Sequence, residues 1–238
     1  MSTDTLGTAS YSDGQYLQQH QEWHSERSIW KGDQVLRGLK MADITPTTLC
    51  DIGCGAGLVL AHVSRHLPSV VHATGFEPSP DAPQHESSVG KIDYRREDAT
   101  AFDGHFDLAL MLDVFEHVND PYGFLEKCSH LADIFVFHVP LDANCLTILR
   151  GGFERPRRVS GHLHYYTDVS ARALLTDVGF EILYSDFTKS GWEGANRNPW
   201  SPLNMMRRAL FSASEQTTSR LFGGVSYLIV CRSPAARL

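Results

Sequence analysis

Apolar residues recur along this chain in short runs, each closing on a polar or acidic residue and followed by helical spacing. Thr47 to Asp51, His72 to Glu77, Ile92 to Asp98, Phe106 to Asp113 and Ile134 to Val139 read as five strands on this pattern. The stretch from Phe106 to Leu112 is almost continuously apolar, as a strand covered on both faces should be. Leu58 to Leu67 and Tyr122 to Leu131 carry helical periodicity between strands, and Pro121 suits a first helical turn. Such alternation predicts an α/β fold with a doubly wound parallel sheet. Further on, Ser170 to Val178 reads as a helix capped by Thr167 or Asp168 and ended by Gly179. Phe180 to Phe187 and Val225 to Cys231 read as two more strands. Tyr16 to Met41, with Trp23, Trp30, Val35, Leu36 and Leu39 among charges, predicts one or two helices ahead of the sheet. Met1 to Asp13 is small and polar and reads as a loose arm.

Gly53, Gly55 and Gly57 alternate between the first strand and the next helix. Glycine turns sharply and lets a ligand approach the backbone, and a strand feeding such a turn into a helix N-terminus is how α/β folds build nucleotide sites. The dinucleotide pattern G-x-G-x-x-G would need glycine where Leu58 stands. Glu77 lies about 20 residues beyond the last glycine, where these folds place a ribose-binding carboxylate. Asp51, Glu77, Asp98, Asp113 and His138 all fall at or near predicted strand ends, the edge at which open parallel sheets bind ligands.

The pattern Asp51-x-Gly53-x-Gly55-x-Gly57 resembles the first motif of the class I S-adenosylmethionine-dependent methyltransferases. Glu116, His117 and Val118 with Asp120 and Pro121 resemble a signature of the ubiquinone-pathway O-methyltransferases within that group, and His162 to Thr167 followed by Val178 to Ile182 keep the same order. The resemblance spans about Leu49 to Cys231. It implies a Rossmann-like sheet of seven strands, mostly parallel, with an antiparallel last strand between the fifth and sixth. It implies S-adenosylmethionine as cofactor: the glycines admit the methionine part, Asp51 helps to hold it, Asp98 and Ala99 meet the adenine, and Leu112 joins the cofactor contacts. A cap on the following turn is the competing role for Asp98. The implied organisation is an arm and helical lid over residues 1–45, then a cofactor-binding domain over 46–238. An insertion at about 190–224, helical from Pro202 to Phe211, would lie beside the substrate opening. His20, Trp23, His24 and Trp30 belong to the lid segment, for which an amphipathic helix packed on the sheet is the other reading.

Methyl transfer from a sulfonium is an in-line displacement, so the protein must align the partners, exclude water and take any proton the acceptor carries. Histidine suits that last task. His117, with Glu116 beside it, is the first candidate base and His164 the second; His138, in a buried strand, reads as a satisfied core histidine. If residues 113–117 form a helical turn, Asp113, Glu116 and His117 share a face. They then resemble a divalent-metal set with His162 or His164 as a further ligand. A hydrogen-bonded structural pair is preferred to the metal. Arg150, Arg155, Arg157 and Arg158 form either a solvated loop or a clamp for an anionic acceptor.

Composition narrows the remaining choices. A net charge of −7 disfavours a general nucleic-acid binder. No apolar run reaches transmembrane length and the N-terminus lacks a signal-peptide stretch, so a cytoplasmic protein without a membrane partner is expected. The 5 cysteines include no C-x-x-C and read as reduced packing residues. The combined expectation is an enzyme that moves a methyl group from S-adenosylmethionine to a small metabolite, preferably at oxygen, in making a natural product or modified sugar. A catalytically silent cofactor-binding subunit and a protein or RNA methyltransferase are the alternatives. Acceptor identity and oligomeric state are not legible at this level.

Overall fold

The computed structural model describes residues 25–79, 92–193 and 200–236. The arm, and the part of the expected lid that holds His20, Trp23 and His24, lie outside them. Helix α1 (Ser25–Met41) precedes the sheet. The first half then runs β1 (Thr48–Ile52), α2 (Leu58–His66), β2 (His72–Phe76), β3 (Ile92–Arg95) and β4 (Phe106–Leu112). The second half runs α3 (Pro121–Cys128), β5 (Ala132–Pro140), α4 (Cys145–Leu149), α5 (Asp168–Val178) and β6 (Glu181–Thr188). It ends with α6 (Pro202–Ala213), α7 (Glu215–Phe222) and β7 (Ser226–Arg232).

Local chemistry sets several boundaries. Thr167 and Ser170 form a reciprocal capping box at the start of α5, and Gly179 ends that helix at φ 101°. Asp120 accepts from Gly123 N with Pro121 in the first turn of α3, where its missing N–H costs nothing. The third strand is shorter than its apolar pattern suggests and stops at Arg95. Asp98 lies beyond it because its carboxylate caps the turn Ala99–Ala101, accepting from Thr100 N.

The 7 strands form one sheet in the order β3-β2-β1-β4-β5-β7-β6. Neighbours are parallel from β3 through β5, while β7 runs antiparallel to both β5 and β6. The expected Rossmann-like sheet with an antiparallel last strand is therefore the observed one. Strand order reverses between β1 and β4, so their carboxyl ends open a crevice.

Both faces of the sheet are covered. Leu108, Leu110 and Leu112 alternate with Ala109 and Met111 along β4, as period-two geometry requires. The leucines pack with Val35 and Leu39 of α1 and with Leu60 and Val63 of α2. Ala109 and Met111 join Phe135 and Phe137 of β5, Leu125 of α3 and Leu174 of α5 on the opposite face. The segment after β6 is tied down by Arg220 of α7, whose guanidinium donates to both carboxylate oxygens of Asp168 at the head of α5. All five cysteines are free thiols, and Cys50, Cys128 and Cys231 are buried. No helix among the described residues is long and apolar enough to cross a membrane.

Leu110 is fully buried in the central strand. Truncation to alanine there should cost about 2–5 kcal/mol, read as a lower urea midpoint with an unchanged slope.

Candidate active site

The crevice leads into a cavity of about 1130 Å³. Its floor is the turn after β1. Gly53 N and Cys54 N both donate to Phe76 O, at 2.9 and 3.0 Å, which lashes the turn to the end of β2. Gly57 has φ 74°, and the Tyr94 ring occupies the space where a Cβ would project, so the chain there has room only for glycine. Glu77 accepts from Gly55 N with one carboxylate oxygen and from Ser79 N with the other, each at 3.0 Å. It thus shapes the glycine turn, and each oxygen keeps a lone pair for a ligand hydroxyl. Burial raises the Glu77 pKa, against those two backbone donors.

Asp51, Gly53, Gly55, Glu77, Asp98, Ala99 and Leu112 all line this cavity. Gly57 is not among the lining residues; it positions the turn from behind. Asp51 is 3% exposed, and burial pushes its pKa up to about 8, with Lys31 pulling down and Glu77 pushing further up. Asp98 serves as both cap and lining residue, since only one of its oxygens faces Thr100 N.

Beyond β4 the chain departs from expectation. Asp113 adopts the left-handed φ of 58°, and a 3₁₀ turn follows over Phe115–His117. The helical turn expected from Asp113 onward does not form. Asp113 N donates to His138 O, which closes this conformation. The Asp113 carboxylate lies 2.6 Å from His138 Nδ1 and 2.7 Å from Lys31 Nζ, and His138 Nε2 meets Thr188 Oγ1 at 3.0 Å. An ionised carboxylate only accepts, so His138 Nδ1 carries the proton. Burial alone would raise the Asp113 pKa, but Lys31 and His138 outweigh it and hold the carboxyl well below the usual range.

Asp113 is therefore not gathered with Glu116 and His117. The histidine that joins those two is His162: one donor atom from each of the three lies within 4.8 Å of the others. Glu116 is fully buried, neither carboxylate oxygen has a hydrogen-bond partner among the described residues, and burial followed by Asp113 drives its pKa far up. Burial and the neighbouring His162 lower His117 to about 4. The 3.8 Å separating His117 Nε2 from Glu116 Oε1 is thus a contact between neutral groups. His162 Nδ1 donates to Asp142 Oδ2 at 2.7 Å, which leaves Nε2 as the accepting nitrogen of the neutral ring. His164 points elsewhere and bonds Val118 O through Nε2 at 2.9 Å. Leu163 N and His164 N donate to Glu116 O and bind this segment to the 3₁₀ turn.

Cationic side chains also line the cavity. Of the arginines at 150–158 only Arg155 lines it; Arg150 and Arg157 are exposed elsewhere, and Arg158 pairs with Glu154. Arg27 and Lys31 of α1 and Arg207 of α6 line it as well, together with Trp30. Sequence reading did not single out Lys31, Asp142 or Arg207. Arg27 and Lys31 stand four apart on one helix face, a signal that was available in the pattern. Asp142 and Arg207 carried none, since only tertiary packing brings their loops to the crevice.

Residues 21–185 match a family described as a methyltransferase domain. A ubiquinone biosynthesis O-methyltransferase of Cereibacter sphaeroides is 40% identical over 88 residues, which is 35% of this chain and 36% of that protein. Its Escherichia coli counterpart is 31% identical over 87 residues, 34% of this chain and 36% of the relative. The matches thus span about a third of the length of these curated relatives. Among solved structures, an S-adenosylmethionine-dependent methyltransferase from Archaeoglobus fulgidus superimposes with a TM-score of 0.62 at 17% identity, covering 92% of this chain and 99% of that one. Human N-acetylserotonin methyltransferase in complex with S-adenosylmethionine gives 0.62 at 20% identity, covering 98% and 60%. At these identities the structural likeness speaks to the fold.

The Asp113 network makes acid stability testable. A depressed folded pKa contributes stability above the unfolded carboxylate value of about 3.9 and loses it as pH falls through the lower folded value. Asp113→Asn keeps a residue type that tolerates the left-handed conformation. The variant should be less stable at pH 7 by about 1–2 kcal/mol, with the gap narrowing progressively as pH falls below the unfolded carboxylate value of about 3.9. Urea midpoints measured across that range check both parts.

Proposed function

Because the chain belongs to the methyltransferase-domain family, in its class I S-adenosylmethionine-dependent group, we propose that it methylates a small molecule, at a hydroxyl oxygen. One observation carries the reading: an acid-lined glycine turn shares one cavity with His117, His162, Arg27, Arg155 and Arg207. Asp51 and the turn at Gly53 and Gly55 would hold the methionine part of the cofactor, Glu77 the ribose, and Asp98 with Ala99 and Leu112 the adenine end. Bound there, the cofactor supplies an activated methyl on a sulfonium. The chain's own residues do the rest. His162, oriented by its bond to Asp142, takes the acceptor proton at Nε2. This ranks it ahead of His117, a weak base when buried, and of His164, whose Nε2 is spent on Val118 O. Arg27, Arg155 and Arg207 favour an anionic acceptor over a neutral one. A role as a catalytically silent subunit, or action on protein or RNA, has no comparable support in the cavity.

A second reading is favoured by the two orphaned oxygens of buried Glu116. With His117 and His162 they fit a divalent cation by number and type of donor, and such an ion would polarise the acceptor oxygen. The two readings separate cleanly. If His162 is the base, His162→Ala should lower turnover about 10²–10⁴-fold without weakening S-adenosylhomocysteine binding, and exhaustive chelation should change nothing. Loss of turnover on chelation with recovery on adding Mn2+ would transfer the role to the cation.

Cofactor binding has its own signature. With its pKa near 8, Asp51 is mostly protonated in the unliganded protein at neutral pH. An ammonium ligand favours the carboxylate, so binding should expel a proton. S-adenosylhomocysteine affinity should rise from pH 6 to about pH 8, and calorimetry in buffers of different ionisation enthalpy should register proton release. Asp51→Asn should abolish the release.

A further inference from the structure

We propose that Lys31, carried in by the N-terminal helix and anchored by Asp113, stabilises the negative charge of the acceptor oxygen during methyl transfer. The inference rests on the methyltransferase reading and adds a residue to it.

Lys31 lines the cavity with an 18% exposed side chain. Its position is set by the far end of the sheet. Asp113 holds Nζ with one carboxylate oxygen, His138 holds the other oxygen, and Thr188 of β6 holds His138. The left-handed backbone at Asp113 and its N–H bond to His138 O prevent that carboxylate from turning away. Trp30, the adjacent residue on α1, meets the His138 ring edge-on at 6.0 Å. An ammonium has three donors, and Asp113 takes one.

The charged and titratable groups around this ammonium come from five elements. They are Arg27 on its own helix, Asp51 on β1, Asp113 after β4, Glu116 and His117 on the 3₁₀ turn, and His138 on β5. The field of Lys31 reaches Asp51, Asp113, Glu116 and His117, and its side chain lines the same cavity as the glycine turn, His117 and His162. A cation so placed, within about 4–6 Å of a hydroxyl, favours its ionised form and lowers its pKa by about 1–3 units. The step balances without further reagents. The hydroxyl proton passes to His162 Nε2. An oxygen lone pair forms the new O–C bond as the C–S bond breaks, and the C–S electron pair stays on sulfur as a neutral thioether. The contribution of Lys31 is greatest where the acceptor is protonated in solution and fades above its free pKa.

The test uses 4-nitrocatechol, whose visible band reports its ionisation, with protein saturated in S-adenosylhomocysteine. In the wild type the bound probe should ionise at least 10-fold more readily than free probe. Lys31→Met should remove that shift and Lys31→Arg should keep most of it, each measured at an S-adenosylhomocysteine concentration that calorimetry shows to saturate that variant. Lys31→Gln serves if the methionine variant fails to fold. A probe that does not bind, or titrates at its free pKa in the wild type, or shifts equally in the variants, overturns the assignment. Failure of S-adenosylhomocysteine to bind the wild type would instead overturn the methyltransferase reading itself.

Discussion

The reversal of strand order between β1 and β4 forces a gap in the sheet's carboxyl edge, and the polar groups of this protein are arranged around it. Two parallel strands leave in opposite directions there, so no connection covers their ends. The exposed ends must then satisfy their own backbone. At β1 this is done by two N–H groups converging on Phe76 O and by Glu77 receiving Gly55 N. At β4 it is done by the left-handed Asp113, whose N–H returns to His138 O. Turn geometry and carboxylate placement are one problem in this fold, solved by the same atoms.

Charges of both signs line the resulting cavity. Asp51 and Glu77 stand at the ends of β1 and β2, and burial raises the pKa of each. Arg27, Lys31, Arg155 and Arg207 line it too, contributed by α1, the loop after α4 and α6, with Lys31 paired to Asp113. Glu116, His117 and His162 form one close group, in which burial and the charge of Asp113 disfavour ionised Glu116, and burial and His162 disfavour protonated His117.

Helix α1 links this chemistry to stability. Val35 and Leu39 bury in one cluster with Leu228 and Val230 of β7 and the leucines of β4, while Arg27, Trp30 and Lys31 on the preceding turns border the cavity. One helix is therefore both core and wall. The Lys31–Asp113 pair joins the two roles, and its network runs from the end of β4 through His138 of β5 to Thr188 of the edge strand β6.

While the antiparallel place of the last strand came from the family resemblance, the linear order of residues was enough to determine the strands, their intervening helices and the acid-tipped ends of β1 and β2. These follow from local periodicity, from glycines that need positive φ, and from carboxylates at strand termini, all of which act over a few neighbouring positions. It was also enough to mark Glu116 and His117 as chemically interesting. Only tertiary structure decided which partners they meet. The spacing of Asp113, Glu116 and His117 suggested one helical face, but the hydrogen bond from Asp113 N to β5 imposes a left-handed kink and hands its carboxylate to Lys31 and His138. His162 takes its place because Glu116 O binds the backbone of residues 163 and 164, and Asp142 then fixes the ring. Those bonds join residues 20 to 82 positions apart, and no local pattern encodes a contact whose closure depends on the whole sheet having formed.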